Sequence, residues 1–321
     1  MSDVGDAPPR RIVLALGGNA ISPPGRVGTA AEQTERVART MALVADLVAA
    51  GEEVILTHGN GPQVGALLLQ NELARDEVPA LPLDWCVAET QATIGYLIVN
   101  ELEQQLAARG LPLSVIPIIS RVLVDAEDPA WSHPSKPVGP YVPEEEARRR
   151  MAQGQAWAPQ GRRGWRRVVP SPEPLANLER QSINLLLSAG AVVVANGGGG
   201  IPMVREPDGR LRGVEAVIDK DLAGALLARE TRAERFVILT DVPGVAVGYG
   251  TDDERWLGRV STAELRALQA QGHFGEGSMW PKVEAAVRFA EATGGTAVIA
   301  ALDDVAAAVR GEVGTVVYAS S

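Results

Sequence analysis

Short apolar runs rich in Val, Ile and Leu recur along the chain, and each ends in a turn of Gly, Asn or Asp. An Ala/Leu-rich stretch with helical spacing follows each turn. Ile12 to Leu16 runs into Gly17-Gly-Asn-Ala20, and Glu53 to Thr57 into His58-Gly-Asn-Gly-Pro-Gln-Val-Gly65. Ala191 to Ala195 runs into Asn196-Gly-Gly-Gly-Gly-Ile-Pro202, and Phe236 to Leu239 into Thr240-Asp-Val-Pro-Gly244. Continuous apolar strands are buried on both faces, the habit of a parallel sheet with helices on either side. Their alternation with helices predicts an α/β fold, a three-layer αβα sandwich with a mostly parallel central sheet. Ligands of such sheets collect at the carboxyl ends of the strands, where all four turns lie. After the second turn a helix is expected through about Leu73, with Pro62 just inside its start.

The rhythm breaks from about residue 124 to 174. Pro, Trp, Arg and Gly accumulate there, as in Gly161-Arg-Arg-Gly-Trp-Arg-Arg167 and Pro170-Ser-Pro-Glu-Pro174. Such a stretch is too long for a plain loop and predicts a small inserted lid subdomain. Within it, Glu144 to Glu146 precede Arg148 to Arg150, an order that suits one exposed helix. The expected organisation is a disordered lead-in over 1–10, an N-terminal lobe over 11–208 carrying the lid, and a C-terminal lobe over 209–321.

Composition narrows the function classes. Aromatic residues make up 4% of the chain, so the core must be built of Val, Leu, Ile and Ala. A formal charge of −10 argues against a nucleic-acid or anionic-membrane surface while allowing a small basic pocket. Cys86 is the lone cysteine, which excludes an intrachain disulfide or cysteine metal cluster and suits the cytoplasm. The first residues lack the apolar centre of a signal peptide. No stretch reaches the roughly 18 uninterrupted apolar residues of a membrane helix. A soluble cytoplasmic protein is expected.

Candidate chemistry gathers at the turns and at lysine. The chain has 27 Arg but three Lys, and each Lys sits in a motif: His133-Pro-Ser-Lys136, Asp219-Lys220-Asp221 and Met279-Trp-Pro-Lys282. A compact ammonium differs most from the planar Arg fork at a crowded phosphate. Gly turns let a backbone approach an anion, and a helix N-terminus behind them offers unpaired N–H groups. Gly59-x-Gly61-x-x-x-Gly65 misses the dinucleotide fingerprint by one residue, and no P-loop motif is present. Asp219-Lys220-Asp221 reads either as a surface ion cluster or as a lysine aimed at phosphoryl oxygens. His58, His133 and His273 lack metal-ligand spacing, so no protein metal site is expected; His58 suits a turn-stabilising role as well as a catalytic one.

Six segments carry a resemblance. Leu14-Ala-Leu-Gly-Gly-Asn-Ala20, Thr57-His-Gly-Asn-Gly-Pro-Gln-Val-Gly65, Gly197-Gly-Gly-Gly-Ile-Pro202, Gly213-Val-Glu-Ala-Val-Ile-Asp-Lys-Asp221, Leu239-Thr-Asp-Val242 and Gly272-His-Phe-x-x-Gly-Ser-Met-x-Pro-Lys282 resemble, in order, the carbamate kinases of the amino acid kinase family. The similarity runs from about residue 11 to Gly314-Thr-Val-Val317.

The resemblance implies a homodimer, with carbamate held by the N-terminal lobe and ATP by the C-terminal lobe. The implied reaction is ATP + carbamate ⇌ ADP + carbamoyl phosphate with Mg²⁺, usually making ATP in arginine catabolism. Carried over by motif, Gly17, Gly18, Asn19, Gly59, Asn60, Gly61, Gly197 and Gly198 would surround the acceptor and the transferred phosphoryl group. Asp219 would organise Lys220, and Lys282 would reach the ATP phosphates. Thr240, Asp241, Val242, Tyr249, Gly277, Ser278 and Met279 would surround the nucleotide. Many relatives carry a Lys after the first strand; Leu16-Gly-Gly-Asn19 has none, and Lys136 from the lid is expected to fill that place. The alternatives are a sibling kinase acting on another small carboxylate and a non-catalytic nucleotide-binding regulator.

Overall fold

A computed structural model describes residues 10–23, 26–275 and 279–320. Eight strands build the central sheet: β1 (Arg11–Leu16), β2 (Glu53–His58), β3 (Val115–Pro117), β4 (Val192–Val194), β5 (Arg235–Thr240), β6 (Arg259–Ser261), β7 (Thr296–Ala301) and β8 (Thr315–Tyr318), in the spatial order β6-β8-β7-β5-β1-β2-β4-β3. From β7 to β3 every neighbouring pair is parallel, while β8 runs antiparallel to β7 and parallel to β6. The mostly parallel sheet read from the apolar runs is therefore present.

The helices are α1 (Ala30–Ala49), α2 (Gly61–Ala74), α3 (Leu83–Ala108), α4 (Glu144–Met151), α5 (Arg180–Ser188), α6 (Lys220–Glu230), α7 (Thr262–Ala270), α8 (Met279–Thr293) and α9 (Val305–Arg310). Strand side chains alternate between two apolar layers. Ile12, Leu14 and Leu16 join Met41, Ile94, Ile98 and Val305 of α1, α3 and α9 on one face. Val13 and Ala15 join Ile183, Leu227, Leu265 and Val287 of α5, α6, α7 and α8 on the other. Each such aliphatic side chain contributes about 1.5–3 kcal/mol on burial, which explains why β1 carries no polar residue between Ile12 and Leu16. At the start of α1, Thr29 and Glu32 form a reciprocal capping box.

The sheet has a seam at β1. The chain leaves β1 for β2 on one side (Leu14 beside Leu56) and later enters β5 on the other (Ala15 beside Ile238). Strand order therefore reverses at β1, and the carboxyl ends of β1, β2 and β5 bound a crevice.

Besides the two-stranded pairing of Ala246–Val247 with Arg255–Trp256, two smaller sheets flank this frame. One joins Leu211–Gly213, Ile201–Arg205, Arg121–Leu123 and Ala176–Asn177; the other joins Lys136–Val142, Trp165–Val169 and Trp157–Pro159 antiparallel. The chain leaves the first at Arg121–Leu123, runs through the second, and returns with Val122 paired to Asn177. Between the strands of the second sheet lies α4, where Arg148 meets Glu144 and Arg150 meets Glu146, both at 2.6 Å.

Candidate active site

The turns after β1 and β2 and the loop after β4 meet outside the seam. Their closeness depends on glycine. Gly198 lies at φ +67, and a Cβ there would stand 2.1 Å from Asn60 Nδ2, closer than any real contact. The Asn60 amide is itself fixed, donating at 2.9 Å to the buried Thr90 hydroxyl on α3. A buried polar network holds the loop after β4. Gln91 Nε2 donates to Gly197 O at 2.9 Å and to Ser120 O at 3.1 Å. Thr57 Oγ1 donates to Asn196 O at 3.0 Å, and Asn196 Nδ2 reaches Ala223 O of α6 at 3.2 Å. Asn196 adopts the left-handed conformation (φ 53), uncommon outside glycine.

His58 is buried beside this network, against Gly197. It is 1% exposed, with Nδ1 3.1 Å from Gly59 O. Burial drives its pKa down to about 4, so the imidazole is neutral near pH 7. The turn-stabilising reading of His58 is the one the geometry fits.

The lysines converge through two carboxylates. Asp219 is the N-cap of α6: its Oδ1 accepts from Asp221 N at 2.9 Å and Leu222 N at 3.3 Å. Its Oδ2 accepts from Lys136 Nζ at 2.6 Å. Asp221, 3% exposed, accepts from Lys220 Nζ at 2.6 Å and from Lys282 Nζ at 2.9 Å. In this arrangement Asp219 hydrogen-bonds Lys136, and Lys220, which the sequence reading placed under Asp219, hydrogen-bonds Asp221. Capping aims one Asp219 oxygen at the main chain, and the other faces the strand that carries Lys136. Asp221 is the clamp for Lys220 and Lys282.

Burial works to raise the Asp221 carboxyl, but the two ammonium groups more than offset it and hold it well below the usual carboxylate range. Burial pushes the Lys220 ammonium down, aided by Lys282, and sharing one carboxylate does not restore it. On Lys282 burial acts the same way, yet Asp221 outweighs it and the pKa ends raised. Two cations thus share one buried anion, and Asp219 and Asp241 line the same crevice.

That crevice is a cleft of about 420 Å³. Of the residues singled out in the sequence, it gathers Gly17, Gly18, Asn19, Gly59, Asn60, Gly61, Gly198, Lys136, Asp219, Lys220, Thr240, Asp241 and Lys282 in its lining. Gly197 lies behind the lining, buried against His58 and Gln91. Val242, Tyr249 and Met279 do not line the cleft. Tyr249 is 65% exposed and packs edge-on against Trp256, and Met279 packs on the apolar layer beneath α8. Gly277 and Ser278 lie outside the described residues. Sequence reasoning passed over Asp221, Gln91 and Asn196 as functional positions. Asp221 was signalled by the Asp-Lys-Asp triplet, and Thr90-Gln91 by polar residues inside an apolar helix.

Chemically, the cleft offers backbone N–H groups and three ammonium groups to anions, with a neutral, sequestered imidazole. Among the described residues no group of three His, Cys, Asp or Glu could cage a metal ion.

Comparison with known proteins agrees with this geometry. The model of the amino acid kinase family matches residues 10–301. The chain is 50% identical over 311 residues to a carbamate kinase of Thermococcus kodakarensis, spanning 95% of this chain and 98% of that one. It is 47% identical over 310 residues to a carbamate kinase of Pyrococcus furiosus, spanning 95% and 98%. The solved structure of carbamate kinase from Giardia lamblia bound to AMP-PNP superposes with a TM-score of 0.90 at 39% identity, covering 97% of this chain and 99% of that one. With the motifs in order, the sheet seam in place and relatives matched from end to end, the chain belongs to the amino acid kinase family.

Proposed function

We propose that the protein catalyses reversible phosphoryl transfer between ATP and carbamate, running physiologically towards ATP from carbamoyl phosphate. One observation carries the reading: all three lysines of the chain stand at one cleft, two of them sharing the buried Asp221. Carbamate is already an anion, so its oxygen attacks phosphorus without a general base, which suits a site whose imidazole is neutral and out of reach. The O–P bond to the acceptor forms as the O–P bond to ADP breaks; in reverse, ADP oxygen attacks and carbamate leaves. The protein must hold two anions in line and offset their repulsion. Lys220 and Lys282 would turn from Asp221, and Lys136 from Asp219, towards the phosphoryl oxygens.

The acceptor would sit at the turns after β1, β2 and β4, within an N-terminal lobe over 11–208. The nucleotide would lie on the β5 side, within a C-terminal lobe over 209–321, with Thr240 and Asp241 beside its phosphates. The oxygen donors fit a Mg²⁺ carried mostly by phosphate and water, not one caged by protein. Asp241 at the cleft, bonded by Thr240 Oγ1 at 3.1 Å, is the residue that would hold it. When bound, the ion neutralises charge on the nucleotide phosphates.

A homodimer is supported by α3, where Trp85 (60% exposed) and Tyr96 (63% exposed) fall on one stripe of the helix. Cytoplasmic residence is supported by the lone, buried Cys86. No helix among the described residues is long and apolar enough to cross a membrane.

The test is ATP formation from ADP, Mg²⁺ and carbamoyl phosphate, with acetyl phosphate as comparison. Selective turnover of carbamoyl phosphate is expected. ADP binding without turnover would instead support a regulatory protein, and preference for acetyl phosphate a sibling kinase.

A further inference from the structure

Four guanidinium groups converge at the amino end of the central sheet, away from the cleft. Arg11 opens β1, Arg180 opens α5, Arg229 lies in the last turn of α6, and Arg232 stands between α6 and β5. With Asn184 and Glu230 they line an open pocket of about 600 Å³. The cleft and this pocket occupy the two ends of α6, 11 residues long and so about 16 Å apart at 1.5 Å per residue.

Two observations set these arginines apart from ordinary surface charge. Elsewhere some arginines meet carboxylates, as in Arg109–Asp46 and Arg121–Glu179, both at 2.7 Å, and others rest on a main-chain oxygen or an aromatic ring, as Arg36 does on Asn19 O and Arg259 on Tyr318. Here Glu230 is the acidic residue of the lining, and its oxygens face Asn177 N at 3.3 and 3.4 Å. Among the described residues no carboxylate comes within 4.0 Å of Arg180, Arg229 or Arg232. Arg11 is gripped by Thr231 O at 2.5 Å and Glu53 at 2.7 Å, yet its Nε is buried without a hydrogen-bond partner, a rare state for such a group. Finally, Arg232 has φ 56, directly after the C-cap Thr231, where a helix ordinarily places glycine. A long cation held there strains the backbone, and a ligand for its side chain explains why the position is not glycine.

Against four guanidiniums stand Glu230 and, through Arg11, Glu53, so two positive charges remain unmatched. A monocarboxylate would satisfy one fork and one charge. A condensed phosphate carries at least two charges near neutral pH and presents oxygens to several forks together. We propose that this pocket binds a small condensed phosphate anion, of which pyrophosphate is the simplest member, at a site separate from catalysis. The assignment does not depend on which acceptor the cleft phosphorylates.

The experiment is calorimetric titration of the full chain with pyrophosphate, the cleft being filled beforehand with a non-hydrolysable ATP analogue. Wild type is compared with Arg232→Gly and with Arg180→Gln, and sodium chloride of equal ionic strength serves as the control. One site of sub-millimolar affinity is expected in wild type, weakened at least tenfold in each variant, with turnover unchanged. Arg232→Gly should melt no lower than wild type, because glycine relieves the left-handed strain. Undetectable binding in wild type would overturn the assignment, as would equal affinity in the variants. Loss of affinity accompanied by a lower melting temperature in Arg232→Gly would make the arginine structural and equally refute it.

Discussion

Replacing Asp221 by Asn removes one negative charge from the centre of the cleft while keeping the side chain's shape. Asp221 stands 2.6 Å from Lys220 Nζ and 2.9 Å from Lys282 Nζ, and both ammonium groups would then face each other without an anion between them. Breaking a buried ion pair from one side costs about 3–5 kcal/mol. The lysine side chains keep 17% and 15% of their exposure, so water relieves part of this and the lower end applies. With about 2.1 cal/mol/K of unfolding entropy per residue, ~3 kcal/mol corresponds to a Tm lower by roughly 4–5 °C in a chain of this length. Turnover should fall by about 10²–10³, the usual loss when preorganised donors are misplaced.

Two further readouts separate this clamp from a merely structural carboxylate. ADP should raise the Tm of Asp221→Asn more than that of wild type, because its phosphates supply the missing anion. The pH dependence follows from the depressed carboxyl pKa. In wild type its stabilisation is complete above the unfolded value of about 3.9 and is lost as pH falls below it towards the folded value. That acid limb should be shallower in the variant. Turnover within threefold of wild type, with an unchanged ADP-induced Tm shift, would refute the reasoning.

Three other outcomes are expected. His58→Gln should flatten the dependence of stability on pH between about 6.5 and 4, since the buried imidazole stabilises the fold above its unfolded pKa of about 6.5 and loses that contribution as pH falls to its folded value; an unchanged slope in chemical denaturation across that window contradicts it. Gly198→Ala should nearly abolish turnover, because its Cβ would overlap the Asn60 amide that Thr90 holds in place; near-normal kcat would mean that the turn can shift. Lys136→Ala should lower kcat at least tenfold while leaving ADP affinity within a few-fold, and kcat within threefold of wild type would remove Lys136 from the reaction.

Much of the site was legible because its signals are local. The glycine turns announce themselves through their own chemistry, and an apolar strand before each fixes where in the sheet the turn must lie. Three lysines in a chain that otherwise uses arginine point to positions where a compact cation matters, and all three meet. The carboxylate assignment within Asp219-Lys220-Asp221 was not legible. Which neighbour grips Lys220 depends on where α6 begins, because the N-cap carboxylate turns towards the main chain and the residue two places later points into the cleft. Gln91 and Asn196 were obscured for another reason: their partners, Gly197 and Ala223, lie 106 and 27 residues away. Tyr249 and Met279 came from motif correspondence alone, with no physical requirement that either face the cleft, and neither lines it.

The seam at β1 has a mechanical consequence. β1 is bonded along its length to β2 on one flank and to β5 on the other, so the turns after β1, β2 and β5 grow from one continuous hydrogen-bonded slab. Prising the two halves apart would rupture the parallel ladder between Ile12–Ala15 and Arg235–Ile238. Under the proposed reaction, the distance between donor and acceptor would be set like the gap of a fixed gauge. Travel that admits and releases reactants would then fall to the antiparallel sheet that bears Lys136. Solvent viscosity should consequently slow the steps governed by that sheet and leave the transfer across the gauge untouched.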